Sequence, residues 1–179
     1  MKLYLLIAVL GVLPLVAGAC TGTDDDANFR FLISDDVNAI DDFSSVNVTI
    51  SKIGIQRAGD SESWLEFVPD TTEVDLKPLV GENALEIWSG NLTPGEYSKA
   101  FIYVSEVNGI LTPELGGEKA SVKLPSEKLH ISRPFVIVEG TTTSFVYDIA
   151  VVKAGQSGQY ILLPQIAQSG ADQEFAEVE

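Results

Sequence analysis

The chain has 179 residues, a formal net charge of −15, one histidine and one cysteine. Such an acid excess repels nucleic acid and favours solubility. A single cysteine excludes an intrachain disulfide, and a single imidazole removes most soft-metal and histidine chemistry.

Residues 1–20 read MKLYLLIAVLGVLPLVAGAC. Lys2 gives a short positive start. Residues 3–16 form an apolar run broken by Gly11 and Pro14, and the small residues Ala17, Gly18 and Ala19 precede Cys20. This layout predicts a signal peptide over 1–19, too short and too broken to span a membrane. A cysteine directly after the small residues predicts cleavage there and lipidation of Cys20. The alternative is an ordinary secreted protein cut near Ala19, but an exposed free thiol is a liability outside the cell. Residues 20–27 lack apolar periodicity and read as a flexible tether. The chain is therefore expected to be extracytoplasmic, held at the cell envelope or cell surface by a lipid anchor.

From Phe29 the pattern changes to period two, which predicts strands. Phe29, Phe31 and Ile33 open the first, and the acidic segment 34–42 reads as a loop. Val46, Val48 and Ile50 alternate, then the phase slips and apolar residues resume at Ile53 and Ile55. One inserted residue does this, so a β-bulge is expected near Ser51 and Lys52. Residues 57–63 read as a polar hairpin loop, with strands over 64–68 and 72–76. Residues 77–88 read as an irregular stretch with a short helical turn around Leu85. A Pro94-Gly95 turn leads into a strong strand over 97–107, and Asn108-Gly109 reads as a hairpin. Later strands are expected over 120–124, 129–131, 135–138, 143–151 and 159–164, with 143–151 a candidate sheet edge. The acidic tail, 168–179, is expected to be disordered. Many short strands without long amphipathic helices predict an all-β antiparallel sandwich over 28–167, Greek-key or transthyretin-like, with little helix.

These landmarks, in order, resemble a prokaryotic lipoprotein family known as domain of unknown function 4382. They are VNVTISKIGI at 46–55, WLEF at 64–67, VDL at 74–76, LTPGEY at 92–97, KLPS at 123–126, PFVIVEG at 134–140 and YILLPQI at 160–166. In the first loop the family often carries Asp-Ala-Pro, whereas this chain has Ser34, Asp35, Asp36 and Val37. The resemblance implies a surface-anchored β-sandwich and supplies no activity. The Pro-Gly-x-Tyr turn is also similar to transthyretin-like and carbohydrate-binding-like sandwiches, a fold analogy only.

Three chemistries have candidate residues. Asp35, Asp36, Asn38, Asp41 and Asp42 could supply oxygen ligands to a hard cation such as Ca²⁺, although the spacing is not that of an EF-hand and turn capping explains the same residues. No other cofactor is expected. Trp64, Trp88 and Tyr103 are candidates for stacking on a glycan, against the competing expectation that strand aromatics fill a core. His130 lies near Ser121, Ser126 and Ser132, but no Gly-x-Ser-x-Gly turn is present, and no acidic spacing nominates a glycosidase pair. Asn47 and Asn91 head N-glycosylation sequons. The expected function is non-enzymatic binding of a glycan or a protein at the cell surface. The alternatives are a structural subunit of a surface assembly using an exposed strand edge, and last a hydrolase. No nucleic-acid partner is expected.

Overall fold

The computed structural model describes residues 27–59 and 64–178. The signal peptide, Cys20, nearly all of the tether and part of the 57–63 loop lie outside the described residues.

Among the described residues thirteen strands follow in chain order: β1 (Phe29–Asp35), β2 (Phe43–Arg57), β3 (Leu65–Phe67), β4 (Glu73–Asp75), β5 (Asn83–Gly90), β6 (Gly95–Leu111), β7 (Lys119–Ala120), β8 (Val122–Lys123), β9 (Lys128–Ile131), β10 (Phe135–Ile137), β11 (Thr143–Ala154), β12 (Gln159–Pro164) and β13 (Ala176–Glu177). The only helical pieces among the described residues are single 3₁₀ turns. One sheet has the order β13-β5-β1-β11-β12-β8. In the other, β2 and β6 pair along most of their length, β3 and β4 pair with β2, and β7, β9 and β10 pair with β6. The two sheets face each other across one apolar core, so the chain is an all-β sandwich. Most pairings are antiparallel, but β1 runs parallel to β11, β12 to β8 and β13 to β5.

Alternation builds the core. Val46, Val48, Ile50, Ile53 and Ile55 of β2 are all fully buried. Their phase is kept by a bulge at Ser51, as the sequence pattern predicts, and by a second bulge at Ser105 on the facing strand. Each serine hydroxyl donates to a carbonyl of the opposite strand, Ser51 to Tyr103 and Ser105 to Thr49, both at 3.4 Å. The inner faces meet through a chain of rings in which Tyr97, Phe135, Phe145, Phe31 and Tyr147 follow one another at centroid separations of 4.9–6.0 Å. Two buried phenols find acceptors, as they must: Tyr147 donates to Leu129 O across the sheets and Tyr97 to Thr93 O, both at 2.8 Å.

Four expectations are corrected. Asn108-Gly109 is not a hairpin; β6 runs through it, because a side chain at Gly109 would meet the Phe43 ring at 2.5 Å and the missing Cβ makes room for that ring. Leu85 lies in strand β5, where a bulge opposite Phe31 and Leu32 scrambles the apolar pattern. The strand at 143–151 is interior to its sheet, between β1 and β12. The tail pairs with the first sheet within 170–178. It folds back as a strap over the outer face of the first sheet, where Leu32, Val146 and Ala150 are buried on the side away from the main core. Acidic composition concealed this because the strap is held mainly by backbone hydrogen bonds: Gly170 exchanges two with Val146, and Val178 N–H donates to Ala84 O. Ser169 is fully buried; it receives the Asp148 N–H at 2.9 Å and donates to Gln165 O at 2.7 Å.

Ser169→Ala should leave that buried N–H and carbonyl without partners. The expected loss is about 1–3 kcal/mol, read from urea unfolding as a lower midpoint with an unchanged slope.

Candidate functional site

The acidic loop does not assemble a cation site. Asp36 accepts from Asn38 at 2.9 Å, Asp41 pairs with Lys77 at 2.9 Å, and Asp42 accepts from Lys153 at 3.0 Å and Tyr160 OH at 2.7 Å. The Tyr160 and Lys153 bonds hold the Asp42 carboxyl below the usual range. Asp35 points elsewhere and is fully buried. Among the described residues no three histidine, cysteine or acidic side chains converge as metal ligands. The residues offered for Ca²⁺ in 35–42 are thus not brought together among the described residues: Asp41 and Asp42 pair with Lys77 and Lys153 from neighbouring strands and turns.

The aromatic candidates divide. Trp88 stacks on Phe67 at 4.3 Å and leans on Phe29, so it clasps the two sheets rather than offering a platform. Trp64 and Tyr103 do come together, on the outer face of the second sheet. Register places Lys52, Gly54 and Gln56 of β2 opposite Tyr103, Phe101 and Lys99 of β6, with Lys128 and His130 of β9 completing the row. Phe101 lies over Gly54, where a Cβ would fall 1.9 Å from the ring. Trp64 and Tyr103 flank Phe101 edge-on, with centroids 4.7 and 5.1 Å away. The Lys128 ammonium sits 3.9 Å from the Phe101 centroid, 4.3 Å from that of Trp64 and 5.5 Å from that of Tyr103. This is a cation held by three ring faces. Lys52 reaches Glu66 at 2.9 Å beside Tyr103.

Phe101 and Lys128 did not stand out in the sequence. The signal available was Gly54 on a strand beside an aromatic-rich partner, and it becomes legible only once the register is known. The face is also polarised. Beyond the paired bulges the same outer surface carries Glu73, Asp75 and Glu106, opposite Thr49 and Asn47. The basic and aromatic half is therefore local in a strongly acidic chain.

His130 is exposed, in register with Phe101, and the Ser126 hydroxyl donates to the Lys128 carbonyl at 2.9 Å.

A family model described as a domain of unknown function (DUF4382) matches residues 26–164. The chain belongs to that family. The DUF4382 match ends at the last residue of β12, so the strap lies beyond it. No curated protein and no solved structure matches the chain.

The DUF4382 sandwich also buries two carboxylates. Both Asp35 oxygens lack a partner among the described residues, and Asp148 has one bond, from Ser34 Oγ at 2.6 Å, with its other oxygen unpaired. Burial pushes Asp35 up to about 8, aided by the nearby Asp148 and Asp36 charges. Burial likewise raises Asp148 to about 6, against the Ser34 hydrogen bond. Asp148 had a sequence signal: it is the one acid within the apolar run of β11.

Both folded pKa values exceed the ordinary aspartate value. Each group therefore supports the fold fully at low pH, and that support is lost as pH rises through the folded pKa. From the ordinary aspartate value of 3.8 up to about 8, the melting temperature should fall as pH rises, with Asp148 contributing only up to about 6 and Asp35 over the whole window. Asp35→Asn should flatten that slope, checked by thermal melts across the window.

Proposed function

We propose that this chain is a lipid-anchored, extracytoplasmic binding module that holds a glycan, preferably an acidic one, on the outer face of its second sheet. The reading rests on one observation above all, the Trp64–Phe101–Tyr103 cluster gripping Lys128. Flat rings stack on the apolar faces of sugars, and Lys52, Lys99 and Lys128 supply the charge for carboxylate or sulfate groups. Phe101 is buried beneath, whereas Trp64 and Tyr103 keep part of their surface in solvent. The rigid β2–β6 pair would hold these rings in place before a ligand arrives, which lowers the ordering cost of binding.

The anchor rests on the sequence of residues 1–20. The tether expected over 20–27 would let the sandwich reach ligands near the membrane. The reading is non-enzymatic, since binding alone accounts for the face and its residues carry no nucleophile motif.

A second reading is a structural subunit that pairs through an open strand edge. Its support is β10, which among the described residues pairs with β6 alone and exposes Val136 by 51 % and, just beyond, Val138 by 53 %. Cross-linking on intact cells would favour it if adducts formed at Val136→Cys and not at positions on the Trp64 face.

Two outcomes check the leading reading. Cys20→Ser should release the chain from membranes into the soluble fraction; retention would overturn the anchor. On a panel of acidic and neutral polysaccharides, saturating amounts of a bound glycan should raise the melting temperature, since ligand at 100 times its Kd adds about 2.7 kcal/mol. Trp64→Ala and Lys128→Ala should each weaken that glycan by roughly tenfold, about 1.4 kcal/mol. Added salt should weaken the wild type more than Lys128→Ala. A flat panel would overturn the glycan assignment.

A further inference from the structure

The strap encloses a second feature, on the opposite side of the sandwich from the aromatic face. Between the outer face of the first sheet and the strap lies a cavity of about 290 Å³. Its floor is Ser34, Val146 and Asp148, its side wall includes Glu82, and its roof includes Glu174 and Phe175. That volume is close to the lower end of small-ligand pockets, about 300 Å³.

Three carboxylates line this cavity and no lysine or arginine does. Acidity alone would say little, but Asp148 adds an independent fact. It is 2 % exposed, one oxygen is bound only by Ser34, and the other has no partner among the described residues. A buried carboxylate with an unpaired oxygen is costly unless something cationic meets it. The strap fits tightly around it all the same: Ser169 bonds the Asp148 backbone N–H, and the Asp148 carbonyl accepts from Gln165 N–H. The backbone is held in place while one side-chain oxygen stays unsatisfied.

We propose that this cavity binds a protonated primary amine on a short alkyl stem, with Asp148 as its counter-ion. A bare metal ion fits poorly, since hard cations need several converging oxygens and no three acidic side chains among the described residues converge. An alkylammonium needs one anion, a few neutral acceptors and apolar walls for its stem. Asp148 is the anion, Ser34, Gln168 and Gln173 provide acceptor oxygens, and Val146 and Phe175 provide the walls. Glu82 and Glu174 add negative potential around the cavity. The same chemistry arrives as a free diamine or as a lysine side chain of a partner protein.

The strap forms the roof, so an occupant ties residues 168–178 to the sheet. Binding therefore reads out as slower hydrogen exchange of strap amides, Gly170 and Val178 among them, as well as heat.

The test uses the full chain in mild detergent, near neutral pH, with putrescine, Nα-acetyl-lysine methylamide, butanol and calcium chloride. Calorimetry should show saturable binding of at least one amine, none of butanol, and no displacement of amine by calcium. Strap amides should exchange more slowly when the amine is present. Preference for the lysine amide identifies a partner's side chain, and preference for putrescine a free diamine. Asp148→Asn should weaken the amine by at least roughly tenfold. The same change should raise the ligand-free melting temperature at neutral pH, because it removes a buried charge and keeps its shape. A purely structural carboxylate would not give both effects. Absence of saturable amine binding, equal affinity in Asp148→Asn, or displacement by calcium would each overturn the proposal. Should Asp148→Asn not fold, Glu174→Gln and Phe175→Ala on the strap must each weaken the amine, and unchanged affinity in both would overturn it equally.

Discussion

The β2–β6 ribbon constrains everything around it. Its strands run 15 and 17 residues, and every other strand of the second sheet pairs with one of the two. A ribbon of that length must curve to cover a core, and a strand that slips by one residue exchanges its faces. Paired bulges at Ser51 and Ser105 let the ribbon bend while Ile50 and Ile53 both stay inward. They also divide the outer face into an acidic half and a basic, aromatic half. The same local device thus serves the core and separates the candidate ligand surface from the repelling charges beside it.

On that surface a glycine and a ring act as one unit. Phe101 is fully buried on the outside of a sheet, a position usually exposed, because Gly54 lets it lie against the backbone while Trp64 and Lys128 cover it. The arrangement orients Trp64 and Tyr103 through packing rather than through loops. Rings held this way lose little freedom on binding, which suits recognition of weakly interacting sugar faces.

The first sheet handles charge in the opposite manner. Its central strands β1 and β11 are buried on both faces, by the core within and the strap without. Two aspartates are enclosed there, where residues of an ordinary parallel pair would be apolar. Burial raises both carboxyls, Asp35 to about 8 and Asp148 to about 6, and Asp148 sits at the edge of a cavity. A charge there lowers stability in the empty protein and becomes favourable once a cation arrives. The opposition between stability and binding is the physical mark of a site rather than of packing.

Much of the architecture was legible in the amino-acid order. Alternation at Phe29–Phe31–Ile33, the phase slip at Ser51, and the Pro94-Gly95 turn before Tyr97 are local patterns, and local sterics enforce them wherever the chain goes. The family followed from their order. What alternation cannot encode is which strands become neighbours. Parallel pairing of β1 with β11 joins residues more than a hundred positions apart, and it alone sets Ser34 beside Asp148. The path of β6 through Asn108-Gly109 depends on a phenylalanine of another strand, and the strap is held by backbone bonds together with the Arg30–Glu177 and Arg133–Asp172 ion pairs, whose partners lie far apart in the chain. The split of the aromatics, with Trp64 and Tyr103 outside and Trp88 within, likewise waits on register. Period two says only that neighbours face opposite ways, and the tertiary fold decides which way is out.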